Sequence, residues 1–191
     1  MRRVHRPQPR DDTKRGDPMT TTQSDAGLSM DLGDDLILGR ARTLAPLDPA
    51  LADPLGEAFA ALSPWRDYPF SAAALAGYFR GIQPDAPRFA IRVGDQVAGI
   101  AGLRRSWLRG PYLQFLGLLP AFQGHGLGSA VLAWFERDAR AMGERNLWVA
   151  TSDFNRDALR FYTRAGYHET ARIDGLIRDG KTEILMRKRL D

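Results

Sequence analysis

Two short blocks of the 191-residue sequence hold residues whose types and spacing could do chemistry. The first is Gln123-Gly124-His125-Gly126-Leu127-Gly128-Ser129. Glycines let a backbone approach a ligand closely and adopt conformations barred to other residues. Where such a turn runs into a helix, the free N–H groups of the first helical turn and the helix dipole form an anion site, and phosphate is its natural guest. The second block is Asn155-Arg156-Asp157-Ala158-Leu159-Arg160-Phe161-Tyr162. Asn155 and Tyr162 are seven residues apart, two helical turns, so both can face one groove. A phenol with a reference pKa near 10 can donate a proton to a basic leaving group. The structural alternative for Tyr162 is a core aromatic whose hydroxyl reaches the surface.

Elements must exist to hold these blocks, and the hydrophobic pattern predicts them. Val131, Leu132, Phe135, Ala139 and Met142 follow helical spacing from about Leu127 until Gly143 stops the helix. The run 147–151 reads as a buried strand, and a short helix over about 156–164 ends at Gly166. With a strand at 112–119 before the glycine turn, this makes a parallel pair joined by a right-handed crossover. Upstream, 89–93, 96–107 and 112–119 form an antiparallel meander, turning at Gly94-Asp95 and Arg109-Gly110-Pro111. Asp48-Pro49 and Asp53-Pro54 both read as helix starts, and Ser71 as the cap of a second helix. A first strand runs over 36–44 and two last ones over 167–173 and 182–187. The expected class is α+β (mixed α/β): a central, mostly antiparallel sheet with one parallel pair, flanked by helices.

Composition narrows the setting. Residues 1–33 are polar and lack apolar periodicity, which predicts a disordered tail ahead of one domain over 35–191. Met19 and Met30 are alternative start sites within that tail. The net charge is +4, and six Arg and Lys against three Asp in residues 1–20 hold +3 of it. Nucleic acid is therefore the least favoured partner, reached only through the tail. The absence of cysteine excludes disulfides and thiolate metal sites. No apolar run is long enough to span a bilayer, and the expected location is cytoplasmic.

The glycine block lacks the Lys of a Walker loop, and its Gly-x-Gly-x-Gly follows most of the strands, unlike a dinucleotide fold. Gln-x-x-Gly-x-Gly at 123–128 instead resembles the coenzyme A signature of the GNAT family of N-acetyltransferases. The second block, with Ala165-Gly166-Tyr167 after it, is similar to that family's Asn-x-x-Ala-x-x-Phe-Tyr followed by Gly and an aromatic. The resemblance covers about 36–190 and implies an acetyl-CoA-dependent N-acetyltransferase acting on an amine of a small molecule or protein. It implies no metal, and it leaves open a homodimer.

By the same resemblance, Leu116, Gly117 and Leu118 would bond the pantetheine arm in a gap between the parallel strands. Gln123, Gly124, His125, Gly126, Leu127, Gly128 and Ser129 would hold the pyrophosphate, Asn155 and Phe161 would contact the cofactor, and Tyr162 would protonate the thiolate. His125 stands where many relatives carry Arg, so affinity is expected to depend on its protonation. Trp65, Asp67 and Tyr68, between two helices that in this family flank the acceptor groove, would face the acceptor or pack as an aromatic loop on the core. Arg104, Arg105 and Trp107 would form a second wall or a solvated strand end. Gln114 occupies the place of a carboxylate base, leaving Asp67, Asp153 or water for that role. Gln114 and the missing Arg also suit an alternative, a non-catalytic acyl-CoA-binding module.

Overall fold

The computed structural model describes residues 29–35 and 40–191, without the side chains of Asp34 and Asp35. The basic segment and most of the stretch read as a tail lie outside the described residues. The first strand, β1 (Met30–Asp35), begins inside that stretch and pairs antiparallel with β2 (Arg40–Pro46). Leu32 enters the main core and Met30 packs against it. Two apolar side chains among Asp and Gly are too few for a periodic signal. Of the strand predicted over 36–44, residues 36–39 lie outside the described residues.

After β2 come α1 (Ala52–Ala60) and α2 (Ala72–Arg80), then the meander β3 (Arg88–Val93), β4 (Gln96–Trp107) and β5 (Gly110–Leu118). Next are α3 (Leu127–Ala141), β6 (Asn146–Ser152), α4 (Arg156–Arg164), β7 (His168–Asp174) and β8 (Thr182–Arg189). One eight-stranded sheet results, in the order β1-β2-β3-β4-β5-β6-β8-β7. Among the described strands, only β5 and β6 pair in parallel, through the α3 crossover. The mixed, mostly antiparallel sheet expected from the sequence is what forms.

Caps explain where helices begin. Ser71 Oγ accepts from Ala74 N at 3.1 Å, as its position predicts. Asp48 Oδ1 accepts from Ala50 N and starts a 3-10 turn that leads into α1. Asp53 is no cap: it lies inside the first turn of α1 and its carboxylate pairs with Arg80 of α2. That pair ties together the two helices, which bury Leu55, Phe59, Leu75 and Phe79 against one face of the sheet with Phe115. On the other face, Leu127, Val131, Phe135 and Tyr162 of α3 and α4 join Leu113, Leu147 and Val149. The sheet thus lies between two helical layers.

Candidate active site

The glycine turn enters α3 with backbone torsions that demand glycine. Gly124 has φ 81° and Gly126, the residue capping the helix, φ 75°. Ala130 N makes the first intrahelical bond, to Gly126 O at 3.0 Å. The N–H groups of Leu127, Gly128 and Ser129 therefore have no partner within the helix. No acidic residue occupies that first turn, so its positive field is not offset. Gln123 braces the turn: its Nε2 donates to Leu118 O at 2.9 Å. A guanidinium also arrives from a distant strand. Arg42 Nη1 lies 3.9 Å from where a Cβ on Gly126 would stand, and Arg42 Nε donates to Gly33 O at 3.1 Å.

Beside this turn the sheet opens. The parallel ladder holds only Tyr112↔Trp148 and Leu113↔Val149. Past those pairs β5 stays bonded to β4 and β6 to β8, but the two strands no longer bond each other. A bulge marks the opening: Leu113 and Phe115 face the consecutive residues Leu103 and Gly102, leaving Gln114 as the extra residue. Leu119 N donates to Ala98 O at 2.8 Å, so by strand alternation Gly117 also bonds toward β4. Leu116 and Leu118 turn their peptide groups to the gap instead. Of the segment 116–118, then, Gly117 offers shape rather than backbone bonds. A Cβ there would come within 2.8 Å of Trp65 and closer to Phe59.

The gap and the turn share one cavity of about 1070 Å³. Every residue read from the sequence as cofactor-binding or catalytic lines it except His125, whose Nδ1 is buried without a hydrogen-bond partner. Asn155 caps α4, its Oδ1 accepting from Ala158 N at 3.2 Å, so its Nδ2 side is what a ligand could engage. Tyr162 is 7 % exposed, and burial, then its neighbour Tyr112, pushes its phenol pKa well up. It holds its proton across the physiological range.

At the other end, Trp65 and Tyr68 line the cavity while Asp67 does not. Trp65 stacks on Phe115 at 4.7 Å, and Asp67 Oδ2 accepts from Ser63 Oγ at 2.5 Å within its own loop. Arg104 and Arg105 face Asp85 and Asp138 instead of the cavity, and Trp107 stacks on Tyr112. Gln114 lines the cavity and Tyr78 hydroxyl donates to its Oε1 at 3.3 Å. Among the lining residues that the sequence did not point to, one carries a buried charge. Glu183, on β8, is 5 % exposed and accepts a hydrogen bond from the Tyr68 hydroxyl. The signal available was an acid heading the apolar run Ile184-Leu185-Met186.

Residues 51–167 match the model of the acetyltransferase (GNAT) family. The chain belongs to that family. Over 90 residues it is 36 % identical to an aminoalkylphosphonate N-acetyltransferase of Salmonella typhimurium, a match spanning 44 % of this chain and 56 % of that relative. A protein described as a GNAT-family acetyltransferase, from Desulfovibrio desulfuricans, superposes with a TM-score of 0.63 at 23 % identity, covering 78 % of this chain and 99 % of its own. A protein described as a streptothricin acetyltransferase, from Bacillus anthracis, was solved in complex with acetyl coenzyme A. It superposes with a TM-score of 0.53 at 16 % identity, covering 57 % of this chain and 65 % of its own. These superpositions show that the chain has the fold of GNAT-family acetyltransferases. Among the described residues, no helix is long and apolar enough to cross a membrane.

Proposed function

We propose that this GNAT protein is an acetyl-CoA-dependent N-acetyltransferase acting on a primary amine of a small molecule or a protein. One observation carries the reading. The β5–β6 ladder stops at Leu113/Val149, and the same cavity takes in the glycine turn at the start of α3. Unpaired backbone beside an anion site suits a ligand that is an amide-rich arm ending in a diphosphate.

Acetyl-CoA would supply an activated acetyl group. The N–H groups of Leu127, Gly128 and Ser129 would hold its diphosphate, with the Arg42 guanidinium supplying the charge that His125 was expected to lack. Leu116 and Leu118 would bond the arm through the backbone, and Asn155 through Nδ2. Tyr162, kept protonated by burial, would give its proton to the departing sulfur.

The Salmonella relative is named for aminoalkylphosphonate acceptors. The acceptor end of this chain is lined by aromatic rings and a carboxylate, which supports a different amine. Release of free thiol from acetyl-CoA, followed with a panel of primary amines, tests the reading: amine-dependent release is expected. Tight acetyl-CoA binding with no release for any amine would favour the non-catalytic module.

A further inference from the structure

A buried carboxylate needs partners that offset its lost hydration. Those of Glu183 are neutral. Tyr68 donates to it from the α1–α2 loop, and Tyr112 lies close enough that burial and the Glu183 charge together push its phenol up to about 12. Asp67 and Asp153, also near Tyr68, add further negative charge.

No Arg, Lys or His pairs with Glu183 among the described residues. Two cations, Arg160 and Arg164, line the cavity from α4 rather than beside Glu183. Arg160 is bonded to Asp157, and Arg164 shares the α3–α4 cleft with Ser129, at the glycine-turn end. Arg178 donates to Asp67 O at 3.0 Å, and Lys181 sits over the Phe154 ring at 5.1 Å. Two phenols, Tyr68 and Tyr112, lie beside the carboxylate, Ser152 faces it from β6, and Trp65, Phe70 and Tyr78 line the same cavity. Negative charge in a cavity rich in aromatic rings favours an ammonium group and disfavours a second anion.

Building on the acetyltransferase reading, we propose that Glu183 is the docking site and first proton acceptor for the substrate ammonium, and that the substrate is a primary amine on an uncharged aromatic or apolar group. The ammonium gives one proton to Glu183. The freed nitrogen lone pair forms the C–N bond to the acetyl carbon, and the C–S bond breaks. Sulfur takes the Tyr162 proton, and the second nitrogen proton restores Tyr162. Glu183 then loses its proton to water, so two protons leave the amine, one to the thiol and one to solvent.

Phenethylamine and 2-aminoethylphosphonate, titrated calorimetrically into wild type and E183Q and compared as acceptors by thiol release, test this. Coenzyme A is titrated separately. Expected are equal coenzyme A affinities, an amine affinity about ten-fold weaker in E183Q, and kcat/KM for phenethylamine about 100-fold lower. Phenethylamine affinity unchanged in E183Q overturns the proposal. So does a wild type that prefers 2-aminoethylphosphonate, a comparison that stands even if E183Q does not fold. A wild type that binds phenethylamine through Glu183 but never coenzyme A would instead overturn the acetyltransferase reading.

Discussion

Tyr162 and Arg42 show two ways in which one residue can serve the proposed site. Burial keeps the Tyr162 phenol protonated, so its removal should be felt in chemistry and not in cofactor binding. Tyr162→Phe is expected to lower turnover about 10- to 1000-fold while the affinity for coenzyme A stays level; unchanged turnover in steady-state assays would remove the assignment. Arg42 approaches the glycine turn from β2, and in the proposed site it would contribute long-range charge. Arg42→Gln should weaken coenzyme A binding by about 1 kcal/mol at low salt, a loss that shrinks as ionic strength rises. Titrations at two salt concentrations check this. The glycine block and the Asn-to-Tyr block were readable because their spacing is local. Arg42 and Glu183 were not, since strand pairing across the whole sheet brings them to the site and no local pattern encodes that.

The decisive element is β5, which is bonded on one side along its length and on the other only as far as Leu113. Its bulge at Gln114 and its bare Gly117 both depend on contacts with β4 and α1, so the sequence could predict the strand and not its shape. Helix starts show the same limit. Ser71 met its N–H as predicted, whereas Asp53 followed the same local rule and was taken by Arg80 of another helix. Gly117→Ala tests the shape argument. The added methyl would meet Phe59, Phe115 and Trp65, all within 2.8 Å, and should destabilise the fold by about 1–3 kcal/mol. Chemical denaturation measures this, and a loss near zero would show that the aromatic cluster yields freely.

For the molecule as a whole, a consequence of packing so many phenols inward is alkaline sensitivity. Tyr68, Tyr162 and Tyr167 all have pKa values raised chiefly by burial, with Glu183 adding to the shift at Tyr68. The folded state therefore keeps protons that the unfolded chain begins to lose at about pH 10. Stability from these groups is complete below that pH and falls as pH climbs above it. Thermal melts at pH 8 and pH 11 should show a clear drop at the higher value; equal melting temperatures would mean the phenols ionise as freely in the fold as in the open chain. Bound acetyl-CoA should work in the opposite direction, adding about 2.7 kcal/mol at a hundred times its dissociation constant.

The proposed site stands or falls on whether the open strand pair and the α3 entrance together receive coenzyme A. Isothermal titration of coenzyme A into the purified chain measures that without assuming any amine. A one-site isotherm with a dissociation constant of roughly micromolar order, weakened when Gly126→Val forces a branched residue into the left-handed turn, is the predicted result. The absence of heat at millimolar ligand, or an affinity indifferent to Gly126→Val, would contradict it.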